Sequence, residues 1–231
     1  MPQRPSKKTI TCRVCGAEFY PNEKWQIEKE RLLLAEGVDV HRFLIYACAT
    51  YNRADIQVIN FGGKDDLRRF LETLNTFEDL SKVKTLVVAR DAETDVTSAV
   101  ESVRSALGNI GLPVPSEPFQ FQQADETRAA FMLFPGPDRN NQFQTGTIED
   151  LCLATISKDP LLNCVNAFLE CAKQNQEGDE KLKHQWKIKL YAYLAGKDDH
   201  AGKRLSQAAK DNVWDWEHDA MLPFQKIIQE M

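Results

Sequence analysis

Three carboxylates occupy alternate positions at the end of an apolar run: in KTLVVARDAETD, residues 84–95, the segment Leu86 to Ala89 leads to Asp91, Glu93 and Asp95. Like charges a few ångströms apart repel at neutral pH unless solvent screens them or something positive sits among them. Two more acids stand at comparable places, Glu36 after the apolar RLLLA and Glu149 in GTIEDL. Oxygen ligands gathered without a His or Cys partner suit a hard cation such as Mg²⁺ or Mn²⁺. Glu36, Asp91, Glu93, Asp95 and Glu149 are therefore the candidate metal ligands. Taken singly, each acid is better explained as a helix cap or a solvated loop residue, and Asp95 before VTSAVESV fits an N-cap. Only the set favours a cation.

Other chemistry is weaker. The histidines, His41, His184, His200 and His218, show no ligand spacing, and no cysteine stands with a His and an acid in a nucleophile pattern. CRVC, Cys12 to Cys15, is half of a zinc knuckle, but structural zinc needs four ligands and no second close pair is present; a turn within a leader is expected. GGKDD at 62–66 follows an apolar run and opens a helical pattern, where backbone N–H groups can hold a phosphate. It lacks the P-loop spacing, so a tight turn is expected, with Lys64 available to a phosphate. Basic residues gather in KLKHQWKIK, residues 181–189, near Trp186 and Tyr191, and in GKDDHAGKR, residues 196–204. Either a nucleic-acid face or the solvated side of a helix accounts for the first.

The elements that must position these acids follow from periodicity. RLLLAEG reads as a strand ending in a Glu-Gly turn, VDVHRFLIYACATY as a helix, ADIQVINFGG as a strand, KDDLRRFLETLNTF as an amphipathic helix, VKTLVVARD as a strand and VTSAVESVRSALGNIG as a helix. That alternation predicts parallel βαβ units and an open, mainly parallel sheet of four or five strands flanked by helices. PFQFQQAD and AAFMLF read as two further strands, and from Thr147 onward the pattern is helical. The division expected is a leader over 1–30, an α/β core over 31–155 and a C-terminal helical extension over 156–231. In such a sheet, ligands bind at the carboxyl ends of the strands, where Glu36 and Asp91 would meet if their strands are neighbours.

The chain has 231 residues, 42% hydrophobic and 27% charged, enough for one sizeable core. A net charge of −5 means that any nucleic-acid binding must use local basic patches or a metal. Six scattered cysteines fit a reducing compartment, no apolar run is long enough for a membrane span, and MPQRPSKK leads into no signal core. A cytoplasmic location is the expectation. Oligomeric state is left open, a homodimer included.

LLLAEGVDVHRFL, INFGGKDDLRRFL, LVVARDAETD and GTIEDL, in this order and spacing, resemble the Toprim-like proteins, in particular a small group related to the nuclease domains of OLD-family proteins. The resemblance covers roughly 31–155, and HQWKIKLYAYLAGK and DNVWDWEHDAMLPF look similar to the group's C-terminal helices. It implies that Glu36 takes the place of the Toprim glutamate, a general acid or base or a metal ligand. Asp91 and Glu93 take the two positions of the DxD motif, with Glu replacing the second Asp, so that Asp95 would share its duty. Glu149 resembles a later acid that helps hold a second metal. Lys187 or Lys189 would neutralise a phosphate as a lysine does in related nucleases, and Lys189 stands with Lys64 among the phosphate-binding candidates.

The function expected is a Mg²⁺- or Mn²⁺-dependent nuclease, with DNA and RNA both open and Glu36 and Asp91 as its catalytic pair. Two alternatives stand beside it. VVARDAET also looks like the motif of haloacid-dehalogenase-type phosphatases, with Asp91 as nucleophile, although those enzymes place that strand first. The third reading is a non-catalytic Toprim-like binding module.

Overall fold

The structure, a computed structural model, describes residues 10–11, 18–19, 26–175 and 184–231. The Cys12 to Cys15 motif and residues 181–183 of the basic stretch lie outside the described residues. Strands β1 (Ile10–Thr11) and β2 (Glu18–Phe19) pair antiparallel by themselves.

The main sheet is built by β3 (Arg31–Glu36), α1 (Gly37–Thr50), β4 (Ile56–Gly62), α2 (Leu67–Leu74), β5 (Thr85–Asp91), α3 (Val96–Gly108), β6 (Gln122–Ala124) and β7 (Thr127–Phe134). Its strand order is β4-β3-β5-β7-β6, with the first four parallel and β6 antiparallel at the edge. This is the open α/β architecture that the alternating pattern predicts. Leu32, Leu33, Leu34 and Ala35 are all fully buried, because both faces of a parallel sheet are covered and every side chain of a central strand finds a core. Each such leucine contributes about 1.5–3 kcal/mol by leaving water.

Successive side chains point to opposite faces. Leu33, Ala35, Val87, Ala89 and Met132 pack with α1, whereas Leu32, Leu34, Leu86, Val88 and Phe131 pack with α2 and α3. The chain continues through α4 (Ile148–Thr155), α5 (Leu161–Gln174), α6 (Gln185–Ala195), α7 (Leu205–Lys210) and α8 (Leu222–Glu230). Leu190 of α6, Trp214 between α7 and α8, and Phe224 and Ile227 of α8 enter the core on the α1 side.

Three local departures from the sequence reading have simple causes. No loop separates β3 from α1: Gly37, at φ +75°, is the first helical residue, a backbone conformation that favours glycine. Helix α2 begins at Leu67 rather than Lys64, because the Asp66 carboxylate accepts the Gly63 N–H at 2.9 Å and holds residues 62–66 in a turn. Of PFQFQQAD only 122–124 is strand, since Phe119 takes a left-handed backbone with φ 60°.

At the amino edge of the sheet, arginines close the end of α8. Arg31 Nε donates to Met231 O at 2.6 Å, Arg53 Nη1 to Ile228 O and to Gln229 O at 2.7 Å, and Arg128 Nη2 to Glu230 O. Helix carbonyls left without an internal partner are satisfied in this way. At the carboxyl edge, β4 and β5 lie on opposite sides of β3, so the chain reverses its direction of winding between β3 and β5. Such a point opens a crevice where ligands bind.

Candidate metal centre

Glu36 ends β3 and Asp91 ends β5, and these strands are hydrogen-bonded neighbours. Their carboxylates meet at the crevice with that of Glu93: one oxygen from each lies within 4.8 Å of the others. Such an acidic group could hold a metal ion. Glu93 is brought there by an unusual backbone, with φ +54°. Its amide donates to Gly146 O at 2.8 Å and its carbonyl accepts from Gly146 N at 2.7 Å, so the loop after β5 is tied to the loop before α4. Gly146 itself, at φ +137°, has no room for a side chain, since a Cβ would come within 2.7 Å of Asp150 Oδ2.

Asp91 Oδ1 accepts the Ile148 N–H, the first amide of α4, at 2.9 Å. Glu36 is different. Its side chain is 10% exposed and its Oε2 has no hydrogen-bond donor, although Arg90 Nε stands 3.5 Å away. Arg90 thus reaches Glu36 by charge alone. Its Nη1 donates to Ser102 Oγ of α3 at 2.9 Å.

The acids feel each other. Burial raises the Glu36 pKa; Arg90 opposes that, Glu93 adds to it, and the Asp91 amide and Lys64 lower it. Asp91 is pushed well above the usual carboxylate range by burial first, then by Glu36 and Glu149, while the Ile148 amide lowers it and Glu93 adds to the rise. Desolvation and like charge act in the same direction here, and the cationic side chains close by do not offset them.

Among the described residues, the other two expected ligands stand outside this group of three. Asp95 caps α3, accepting Ser98 N at 3.1 Å and Ser98 Oγ at 2.6 Å, and it is not among the three acids whose oxygens come together. Glu149, in the first turn of α4, is 8% exposed and outside the group of three; its Oε1 is 3.9 Å from Lys187 Nζ of α6. Among the described residues Lys189 forms no ion pair, so on α6 it is Lys187 that faces an acid of the set. Lys64 is exposed in the turn before α2, near enough to lower the Glu36 pKa.

Sequence reasoning missed Arg90, 6% exposed in the middle of LVVARDAET. A charged residue within an apolar strand run must be paired when buried, and that was its signal. The Glu93 to Gly146 bridge left no such mark, being made by backbone atoms of loops 53 positions apart in the sequence.

A family model described as "Protein of unknown function (DUF3226)" matches residues 30–231. Two solved structures of the C-terminal region of the OLD protein of Xanthomonas campestris pv. campestris are similar to this chain. One, at 14% identity, covers 89% of this chain and 96% of that chain with a TM-score of 0.45. The other, at 15% identity, covers 89% and 97% with a TM-score of 0.44. Among curated proteins none matches. Among the described residues no helix is long and apolar enough to cross a membrane.

Proposed function

The chain belongs to the DUF3226 family, and from that premise we propose that it is a Mg²⁺- or Mn²⁺-dependent phosphodiester-cleaving enzyme acting on nucleic acid, with the cation held by Glu36, Asp91 and Glu93. One observation carries this reading: Glu36 Oε2 is buried without a hydrogen-bond donor inside a group of three carboxylates whose oxygens lie within 4.8 Å. An unsatisfied buried carboxylate oxygen is costly, and among oxygen ligands of this charge a hard divalent cation is the partner that fits. A cation there supplies Lewis-acid charge to a phosphate oxygen and lowers the pKa of water.

The chain's own groups do the rest. Asp91 Oδ1, held by the Ile148 amide, fixes the orientation of its carboxylate against α4. Glu36, ionised beside the cation, would help to hold it and could act as general base toward water, the role that the resemblance to the Toprim glutamate implies. Lys64 and Lys187 stand at the rim as charges for the phosphates flanking the cut. The resemblance of LLLAEG and VVARDAE to the Toprim glutamate and DxD motifs supports the same assignment, with Glu93 reaching one methylene further than the Asp it replaces.

Calorimetric titration with Mn²⁺ tests the centre directly. Binding by the wild type that is lost in Asp91→Asn and in Glu36→Gln is expected, together with cleavage of DNA or RNA that needs the cation. Retention of cation binding in both variants would remove these residues from the site. Cation binding without cleavage of any nucleic acid would leave a binding module. A phosphoaspartate trapped at Asp91 would point to a phosphatase.

A further inference from the structure

We propose that Tyr191 is a stacking platform for an unpaired nucleobase at the mouth of the acidic crevice, so that the substrate class is single-stranded nucleic acid. This rests on reading the crevice as a nucleic-acid site. Among the described residues four large apolar side chains are strongly exposed: Val38 (46%), Phe168 (53%), Tyr191 (40%) and Leu222 (51%). Single exposed apolar groups need no explanation, and Phe168 and Leu222 are given none. Val38 and Tyr191 differ in where they stand. Val38 lies in the first turn of α1, two residues after Glu36 and next to Asp39. Tyr191 lies one helical turn beyond Lys187 on α6, so the two share a helix face. That face meets α4, since Lys187 Nζ is 3.9 Å from Glu149 Oε1.

Tyr191 is also within electrostatic reach of the acids: burial raises its phenol pKa first, then Asp39 and Glu149 add to it, with Arg204 opposing. The ring therefore stays neutral, an aromatic surface beside a lysine and a carboxylate cluster. A lysine for the backbone and a ring for the base are the two parts of a single-strand binding groove. In a duplex the base faces are already stacked on one another, and an open tyrosine at the rim has nothing to receive.

Fluorescence anisotropy with a labelled oligothymidylate, an abasic strand of equal length and a duplex, each in EDTA and in Mn²⁺, tests the proposal. The wild type should favour the oligothymidylate over both others. Tyr191→Ala should weaken oligothymidylate binding by about fivefold to a hundredfold, the range for one lost base stack, and bring it down to the abasic strand. Tyr191→Phe should bind like the wild type, because the ring and not the hydroxyl does the work. Equal binding by wild type and Tyr191→Ala, a preference for duplex, or no binding of any strand would overturn the proposal. Mn²⁺ titration of the same proteins separates the two levels: a wild type that binds no Mn²⁺ defeats the metal centre even where the Tyr191 effect is found, and a Tyr191→Ala protein that binds Mn²⁺ normally but has lost no strand affinity defeats only the platform.

Discussion

The two ends of one sheet treat charge in opposite ways. At the amino edge, Arg31, Arg53 and Arg128 are each engaged, by carbonyls of α8 and, for Arg31 and Arg53, by Asp55. At the carboxyl edge, Glu36, Asp91 and Glu93 face one another, and Glu36 Oε2 has Arg90 Nε at 3.5 Å but no hydrogen-bond donor. Both edges carry charged side chains from β3 and its neighbours, so strand position alone does not explain the difference. The basic edge is complete within the chain, as a structural joint should be. The acidic edge keeps three carboxylates together with one buried oxygen that no donor reaches, an arrangement that costs folding free energy and that a cation, as proposed above, would offset. Substitutions at the two edges should therefore differ in kind.

The largest expected effect is on cleavage. Glu36→Ala and Asp91→Ala should each lower cation-dependent cleavage by at least about a hundredfold, the scale for removing one preorganised electrostatic contact in a site, measured as initial rates on labelled strands. Arg53→Ala, at the other edge, should leave the rate of the folded protein unchanged. A comparable loss from Arg53→Ala would erase the contrast.

Next is stabilisation by the cation. At a free concentration a hundred times its Kd, Mn²⁺ should stabilise the wild type by about 2.7 kcal/mol, read from thermal or urea melts, and Asp91→Asn should abolish that gain. In cation-free buffer the same variant should be as stable as the wild type or more so, since Asn keeps an acceptor for the Ile148 amide and removes one of the mutually repelling charges. The pH dependence has a definite sign. Folding raises the Asp91 pKa above its unfolded value of about 3.9, so the proton is bound more tightly in the folded state. That contribution is complete below the unfolded pKa and is lost as pH rises through the folded one. Cation-free wild type should thus lose stability as pH rises above the ordinary carboxylate range, and Asp91→Asn should lose less. A steeper loss in the variant would assign the pH response to other groups.

At the basic edge, Arg53→Ala should cost about 1.5–3 kcal/mol, the range for hydrogen bonds to a charged group whose carbonyl partners are left unsatisfied. The loss should be the same with and without Mn²⁺. Urea melts of the variant under both conditions check this, and a cation-dependent cost would link the two edges.

How much of this could be read from the chain alone depends on how local each feature is. The elements were legible because β3 and β5 are apolar on both faces and α2 on one, and those patterns span six to eight residues. Glu36 and Asp91 could be placed at strand ends for the same reason, but their meeting required that β3 pair with β5, a choice made by the crossovers and not by either strand. Glu93 enters the group through a left-handed backbone tied to Gly146, and Arg90 acquires its role only once α3 supplies Ser102. Each of these depends on residues distant in sequence. Asp95, by contrast, answers to Ser98 three positions on, and its capping role was visible beforehand.

Asp95 therefore provides the finest test, since it lies only four positions after Asp91 and titrates in the opposite direction. Its pKa is lowered by the Ser98 hydroxyl first, then by the Ser98 and Thr97 amides, with slight desolvation opposing. A depressed acid stabilises the fold above its unfolded pKa, and that contribution is lost as pH falls through the folded value. Asp95→Ala should accordingly lower the melting temperature by about 2–4 °C at neutral pH, the usual scale of a lost N-cap in a chain of this size, and the difference from wild type should shrink as the solution is acidified below the ordinary carboxylate range. The shift belongs to an exposed side chain, so salt should reduce it as well. Mn²⁺ affinity, followed by calorimetry, should not change, because the cap points its oxygens at α3 and away from the group of three. A fall in Mn²⁺ affinity in Asp95→Ala would draw this acid into the cation's shell and place the boundary between cap and ligand on the far side of Asp95.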